Sequence, residues 1–349
     1  MKRAPFLVGM LCLGAALHAQ RARVRQAPQA DMPAQVDSNS PAYWKDGQLH
    51  LLNSTGGNNP AISTGSDQFH LGAPVSVRWA TRVNQWPMWI EATWVDPTSG
   101  YIYAWYHAEH FGICPGGSRL SAPQIGAAVS WDGGDSFYDL GTILSSGDPI
   151  NCASQNGYFA GGNGDFSVIL DRERKYFYFL FTNYAGPTAS QGVSIARMAF
   201  EFRAYPQGMV WKYYQGWWGE PGVGGHETPI FPAKVSWQKA NTNSMWGPSV
   251  HWNTYLNSYV VLLNHSCCTS GFPQEGIYAS FSSDLSDPSS WAKPVKILQD
   301  GGWYPQVLGT GPQGTDRQAG RVTRLYIYGH SHWEIVFLKP AEPDPQPQQ

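Results

Sequence analysis

Acidic and polar side chains recur at the openings of five similar stretches of this chain, and they are the residues with chemistry to offer. Asp37 stands with Asn39 in D-S-N-S-P, Glu91 follows Trp89 in W-I-E-A, and Asp165 sits in N-G-D-F. Ser249 and His251 follow Trp246 in W-G-P-S-V-H, and Tyr304 with Gln306 follows Trp303 in W-Y-P-Q. If those openings converge, two or three carboxylates meet among aromatic rings. Such a meeting suits general acid–base work, with a base or nucleophile on one side of a scissile bond and a proton donor on the other. A single acid at the start of a strand often only caps a turn or pairs with an arginine; three in register argue for a site.

The elements that must position these residues are β-hairpins. Residues 164–184 read G-D-F-S-V-I-L-D-R-E-R-K-Y-F-Y-F-L-F-T-N-Y, two apolar runs rich in aromatic and β-branched residues around a charged turn. The same unit recurs at residues 89–107, 246–264 and 37–53, and in stretched form at 303–330. A weaker strand pair follows each hairpin. Repeats of about four strands, about five times over, predict an all-β chain folded as a five-bladed β-propeller spanning residues 36–339. The last repeat has three strands, so the two ends of the chain are expected to share a blade and close the ring. A two-sheet sandwich would not explain why a polar residue opens each repeat. The stretch S-W-D-G-G-D-S-F at 130–137 resembles the Asp-box, whose acid bonds back to its own loop and has no catalytic part.

Composition agrees. Charged residues make up 14% and aromatics 14%, with 38 Gly and 26 Pro, which favours many short strands over long helices or disorder. Residues 1–19 carry Lys2 and Arg3, then an apolar run, then L-H-A, and are expected to be a signal peptide too short to span a membrane. An exported protein, periplasmic or extracellular and with no membrane attachment after cleavage, follows. The formal charge is −2, so no basic surplus points to nucleic acid. Residues 20–35 are expected to be a linker and 340–349 a disordered tail. Beyond Cys12 in the leader, four cysteines remain, which suggests disulfides in an exported chain. Cys114–Cys152 is the favoured pair because both lie in loops flanking one blade; Cys267 and Cys268 are then an adjacent pair or free thiols.

Across about residues 37–338 the repeat pattern resembles the five-bladed propeller glycoside hydrolases (the arabinanase, β-xylosidase and invertase-like superfamily). The resemblance implies that Asp37 is the base or nucleophile, and that Asp165, with Glu91 next, tunes the acid and orients substrate. It implies a general acid in an E-G-P stretch, but here that stretch is Trp246-Gly247-Pro248. The proton must then come from elsewhere, His251 first, with Glu91, Glu227 and Glu275 as carboxylate alternatives. Substrate contacts are expected from Asn39, Trp89, Trp246, Ser249, Tyr304 and Gln306, with carbohydrate as the partner and no cofactor or metal. A carbohydrate-binding propeller without catalysis is the alternative, and a sialidase-like enzyme a third reading. His107, Glu109 and His110 are expected to form a polar rim, and His330 with His332 a partly buried pair. Trp211, Tyr213, Tyr214, Trp217 and Trp218 are either edge packing or a sugar-stacking platform.

Overall fold

A computed structural model describes residues 20–54, 60–83, 86–340 and 342–343. Five largely antiparallel sheets form the blades of a five-bladed β-propeller. The inner strands of blades 1 to 5 are Ala42–Lys45, Met88–Val95, Asn163–Leu170, Ser244–Asn253 and Pro305–Gly309. These are the repeat openings picked out by the sequence. Alternation along each strand sends one row of side chains toward each neighbouring blade. Trp105, Phe166, Phe177 and Phe179 fill the space between blades 2 and 3, and Val260, Leu262, Leu325 and Phe337 that between blades 4 and 5. Burying each of these is worth about 1.5–3 kcal/mol. Among the described residues, no helix is long and apolar enough to cross a membrane.

The ring closes through blade 5. There Arg21–Asp31 pairs antiparallel with His330–Leu338 as the outermost strand. The expected linker at 20–35 is therefore corrected to a strand over most of its length. Its polarity misled because an outermost strand needs to bury very little: Ala22 is turned in, while Arg25 pairs with Glu334 at 2.7 Å on the outside. The expected partly buried pair His330 and His332 is likewise exposed, with His330 bonded to Asp31 on that strand. Arg78–Thr81 joins the outer edge of blade 2, in parallel with Ser136–Leu144. In the tail, Glu342 accepts hydrogen bonds from Tyr255 and Lys339; residues 341 and 344–349, like the expected signal peptide at 1–19, lie outside the described residues.

The Asp-box behaves as a structural turn. Asp132 accepts from the hydroxyl and backbone N–H of Ser136 and from the Ser130 hydroxyl. Cys114 is bonded to Cys152, 38 residues on, tying the loop before Ala122–Ser130 to the loop leading into blade 3. Cys267 and Cys268 are bonded to each other. Closing the loop between Cys114 and Cys152 in the unfolded chain is worth about 4 kcal/mol in the chain-entropy model. Cys152→Ser should accordingly lower the melting temperature by several degrees in a calorimetric scan; an unchanged melt would show that the bridge adds no stability.

Candidate active site

Three of the inner strands carry a β-bulge near the same end. In blade 2 the register with Ile102–His110 slips between Ile90 and Ala92, which leaves Glu91 as the extra residue. In blade 3 it slips between Gly164 and Phe166, at Asp165, and in blade 4 between Trp246 and Ser249, at Gly247-Pro248. A bulge re-aims a side chain out of the alternating rows, and here it turns Glu91 and Asp165 into the channel. Asp165 takes a positive φ of 39°, unusual for a residue with a Cβ and costly by roughly 1–3 kcal/mol. Gly164 beside it is required by the packing: a Cβ there would stand 2.6 Å from the His107 ring.

The outcome is a pocket of about 20 Å³ lined by Asp37, Trp89, Glu91, His107, Glu109, Asp165 and Tyr304. Its floor is dry and its rim is wet. Glu91, His107 and Asp165 are 2–3% exposed, whereas Asp37 and Glu109 reach solvent. Glu91 Oε2 accepts the backbone N–H of Phe166 at 2.8 Å, and Oε1 lies 3.4 Å from His107 Nδ1. Asp165 Oδ2 accepts the Tyr184 hydroxyl, while its own backbone N–H donates to His107 Nδ1 at 3.0 Å. That last bond fixes the tautomer: Nδ1 offers its lone pair and the ring proton sits on Nε2, 3.4 Å from Glu109 Oε1. Glu109 Oε2 accepts from the Ser121 hydroxyl at 2.9 Å.

Electrostatics follow from this crowding. Burial raises Glu91 well above the ordinary carboxylate range, with His107 opposing and the Asp165 charge adding to it. Burial raises Asp165 too, against His107 and the Tyr184 hydrogen bond. Burial disfavours the His107 imidazolium, but Glu109, Asp165 and Glu91 outweigh it and draw the ring up to about 9. A second proton on that ring would have to displace the Asp165 N–H from Nδ1. Asp37 is raised to about 6, first by burial and then by the charges of Asp165 and Glu109, with His107 and the Trp89 indole pulling the other way. Glu91, His107 and Asp165 also place potential ligand atoms within 4.8 Å of one another. Three of those atoms, Glu91 Oε2, Asp165 Oδ2 and His107 Nδ1, already accept protein N–H or O–H groups. Two atoms of that floor, Glu91 Oε1 and His107 Nε2, lack a hydrogen-bond partner.

Trp89 and Tyr304 are the aromatic members of the lining, and further rings pack behind them. Tyr184 stacks on Phe159 with centroids 4.1 Å apart, and Trp246 meets Tyr304 and Trp303 edge-on at 5.6 and 5.7 Å. The structure thus brings together Asp37, Glu91, Asp165, Trp89 and Tyr304, with Trp246 just behind them. The other sequence candidates lie elsewhere. His251 is fully buried against Phe337 between blades 4 and 5, with both ring nitrogens unpartnered, and burial drives it down to about 3. It lies five residues past Trp246, some ~16 Å down the strand at about 3.3 Å per residue. A neutral imidazole at that depth cannot protonate anything at the rim. Asn39 spends its amide on the carbonyls of Phe166 and Pro248, and Gln306 clamps the backbone of Ser40 in both directions. Both tie blades together. Ser249 is buried outside the pocket lining.

Of the carboxylate alternatives, Glu275 pairs with Lys296 and His265 away from the pocket. Glu227 is buried with Lys212 at 2.7 Å, and both bond Asn163 at the head of the blade 3 inner strand. Removing one member of such a pair strands the other, so Lys212→Met should cost about 3–5 kcal/mol in a denaturant titration; a loss under about 1 kcal/mol would show that Glu227 is not held as a buried ion. The sequence reading gave His107 and Glu109 only a place on a polar rim; Glu109 does stand at the rim, but it lines the pocket, and His107 is corrected to the buried floor. The signal was alternation: His107 and Glu109 share one face of a strand whose partner carries Trp89.

No protein-family model matches the chain, and no curated protein does. Solved structures do. One is a Bifidobacterium bifidum protein described as a candidate exo-beta-1,3-galactanase, 14% identical, covering 90% of this chain and 94% of its own, with a TM-score of 0.50. Another is a thermostable family-43 glycoside hydrolase, 12% identical, covering 92% and 99%, with a TM-score of 0.51. The chain has the fold of the five-bladed propeller glycoside hydrolases. At these identities the likeness is one of fold, and the chemistry must be argued from the pocket itself.

Proposed function

We propose that this chain is an exported glycoside hydrolase acting on a polysaccharide or oligosaccharide, with Asp37 as base and Glu109 as proton donor. One observation carries the reading: two solvent-reaching carboxylates, Asp37 and Glu109, stand over a buried floor of Glu91, Asp165 and His107 in a pocket also lined by Trp89 and Tyr304. The pocket's ≈ 20 Å³ is about one water's worth of space. A water there gives a proton to Asp37 and its oxygen to the anomeric carbon. As the glycosidic C–O bond breaks, Glu109 protonates the leaving oxygen. The floor's Glu91 and Asp165 are held by accepted hydrogen bonds, and the His107 Nε2–H faces Glu109 from 3.4 Å. The fold likeness supports this reading, as do the disulfide and the leader-like residues 1–19 for export.

A second reading has one observation in its favour. In blade 4 the position where the resemblance implies an acid holds Trp246, next to the bulge at Gly247-Pro248. A propeller that binds sugar without cleaving it would look the same there. Incubating the protein with a panel of plant and microbial polysaccharides and measuring new reducing ends separates the two. Release of reducing ends is the expected result; saturable binding with none released overturns the hydrolase.

A further inference from the structure

The far side of the propeller carries a groove that the pocket does not use. Three cavities of about 490, 670 and 480 Å³ join end to end. The first two share Tyr176 and Arg197, the second and third Asp171, Arg172 and Trp252. The groove starts at the outer hairpin of blade 3, Val210–Tyr214 with Trp217–Pro221, and follows the boundary of blades 3 and 4. It ends where the inner strands of blades 1 to 4 finish, at Trp44, Val95, Leu170 and Trp252. The acids stand at the opposite ends of those strands.

Its lining repeats one unit, a guanidinium laid on an aromatic ring. Arg197 is held between Tyr176 and Trp218 at 4.5 and 4.6 Å, Arg172 lies 5.1 Å from Trp252, and Arg174 5.8 Å from Trp94. A guanidinium stacked on its face is fixed in orientation and keeps its edge free for two parallel hydrogen bonds to a carboxylate. None of the three has a carboxylate partner among the described residues. The acids nearby are mostly spent: Asp171 accepts the backbone N–H groups of Lys175 and Tyr176, Glu173 pairs with Lys175, and Asp284 accepts from Ser286. Among the described residues of the lining, Glu201, at the outer end, is the one acid with no hydrogen-bond or ion-pair partner. At that end Trp217 is 63% exposed and Trp211 42% exposed. Trp217 folds back over Gly219, where a Cβ would stand 2.0 Å from its ring, so one face is backed by main chain while the other looks outward.

We propose that this groove binds an extended acidic polysaccharide, its sugar faces on the tryptophans and its uronate carboxylates on the stacked arginines. The proposal rests on the carbohydrate reading above but not on turnover. Native affinity electrophoresis through gels containing polygalacturonate tests it, with dextran as the neutral control. Polygalacturonate should retard the protein, dextran should not, and added salt should weaken the retardation. Trp217→Ala and Arg172→Ala, both exposed, should each weaken apparent affinity about tenfold while hydrolysis of a small soluble glycoside stays unchanged. Asp37→Asn should be retarded like the wild type. No retardation by polygalacturonate, equal retardation by dextran, or unaltered retardation of both groove variants would each overturn the proposal. Any of these would leave the reducing-end assay of the pocket to stand or fall separately.

Discussion

Asp37→Asn should abolish turnover and leave the protein more stable at neutral pH than the wild type. The first effect follows from the base role: an amide cannot take the proton of the attacking water, and losing a general base costs roughly 10²–10⁴-fold. The second follows from the carboxyl being held near 6 by burial and by Asp165 and Glu109. A carboxyl whose folded value is raised favours the folded state at low pH, and that contribution is lost as pH rises from about 4 through 6. Above pH 6 the wild type carries an ionised Asp37 against its neighbours, and Asn removes that cost. The shift corresponds to about 1–2 kcal/mol once discounted for the part of the group that water screens. The variant should therefore melt higher at pH 7.5, and the gain should vanish near pH 4. A variant that melts lower at pH 7.5 would show that Asp37 is there for the fold.

Glu109→Gln should discriminate between substrates. A natural sugar leaving group needs its oxygen protonated and should lose roughly 10²–10³-fold in kcat. An activated aryl glycoside, whose leaving group departs as the anion, should lose no more than a few-fold. Equal losses on both would remove Glu109 from the donor role and point to a positioning part. His107→Gln should follow Glu109→Gln in the same direction but less steeply, because it acts through the Nε2–H that faces Glu109. If the effect of His107 lay in folding alone, the ratio of the two substrates' rates would not move.

Much of the fold was legible because the hairpin repeat is local. Residues 164–184 and 246–264 announce paired strands by composition, and the missing fourth strand of the last repeat called for the N-terminus that Arg21–Asp31 supplies. The site was legible where a residue type stood at a strand opening, as with Asp37, Glu91 and Asp165. It was illegible where geometry departed from simple alternation. His251 lies beyond the bulge at Gly247-Pro248, too deep for the mouth, and depth along a strand is not written in residue type. Asn39 and Gln306 have the side chains of sugar-binding residues, but five converging strands also need their backbones bridged, and these two do that. Glu109 belongs to a second strand, so a search of opening strands alone passed over it, although antiparallel pairing returns that strand's end to the same mouth.

In blade 4 the Trp246-Gly247-Pro248 stretch stands where the resemblance implies an acid. Blades 2 and 3 place an acid at the bulge and blade 4 a glycine, with Trp246 and Phe272 filling the space beside it. Under the proposed reading the proton donor is Glu109, on the second strand of blade 2.

The most direct test of Asp37 as the catalytic base is the pH dependence of kcat/KM for reducing-end release, measured for wild type and Asp37→Asn on the same polysaccharide. The wild-type rate should rise with pH through an apparent pKa of about 6, the value set on Asp37 by its burial and its neighbours, and the variant should show no activity at any pH. A rate that falls through pH 6 would make Asp37 the acid, and wild-type rates from the variant would contradict the account outright.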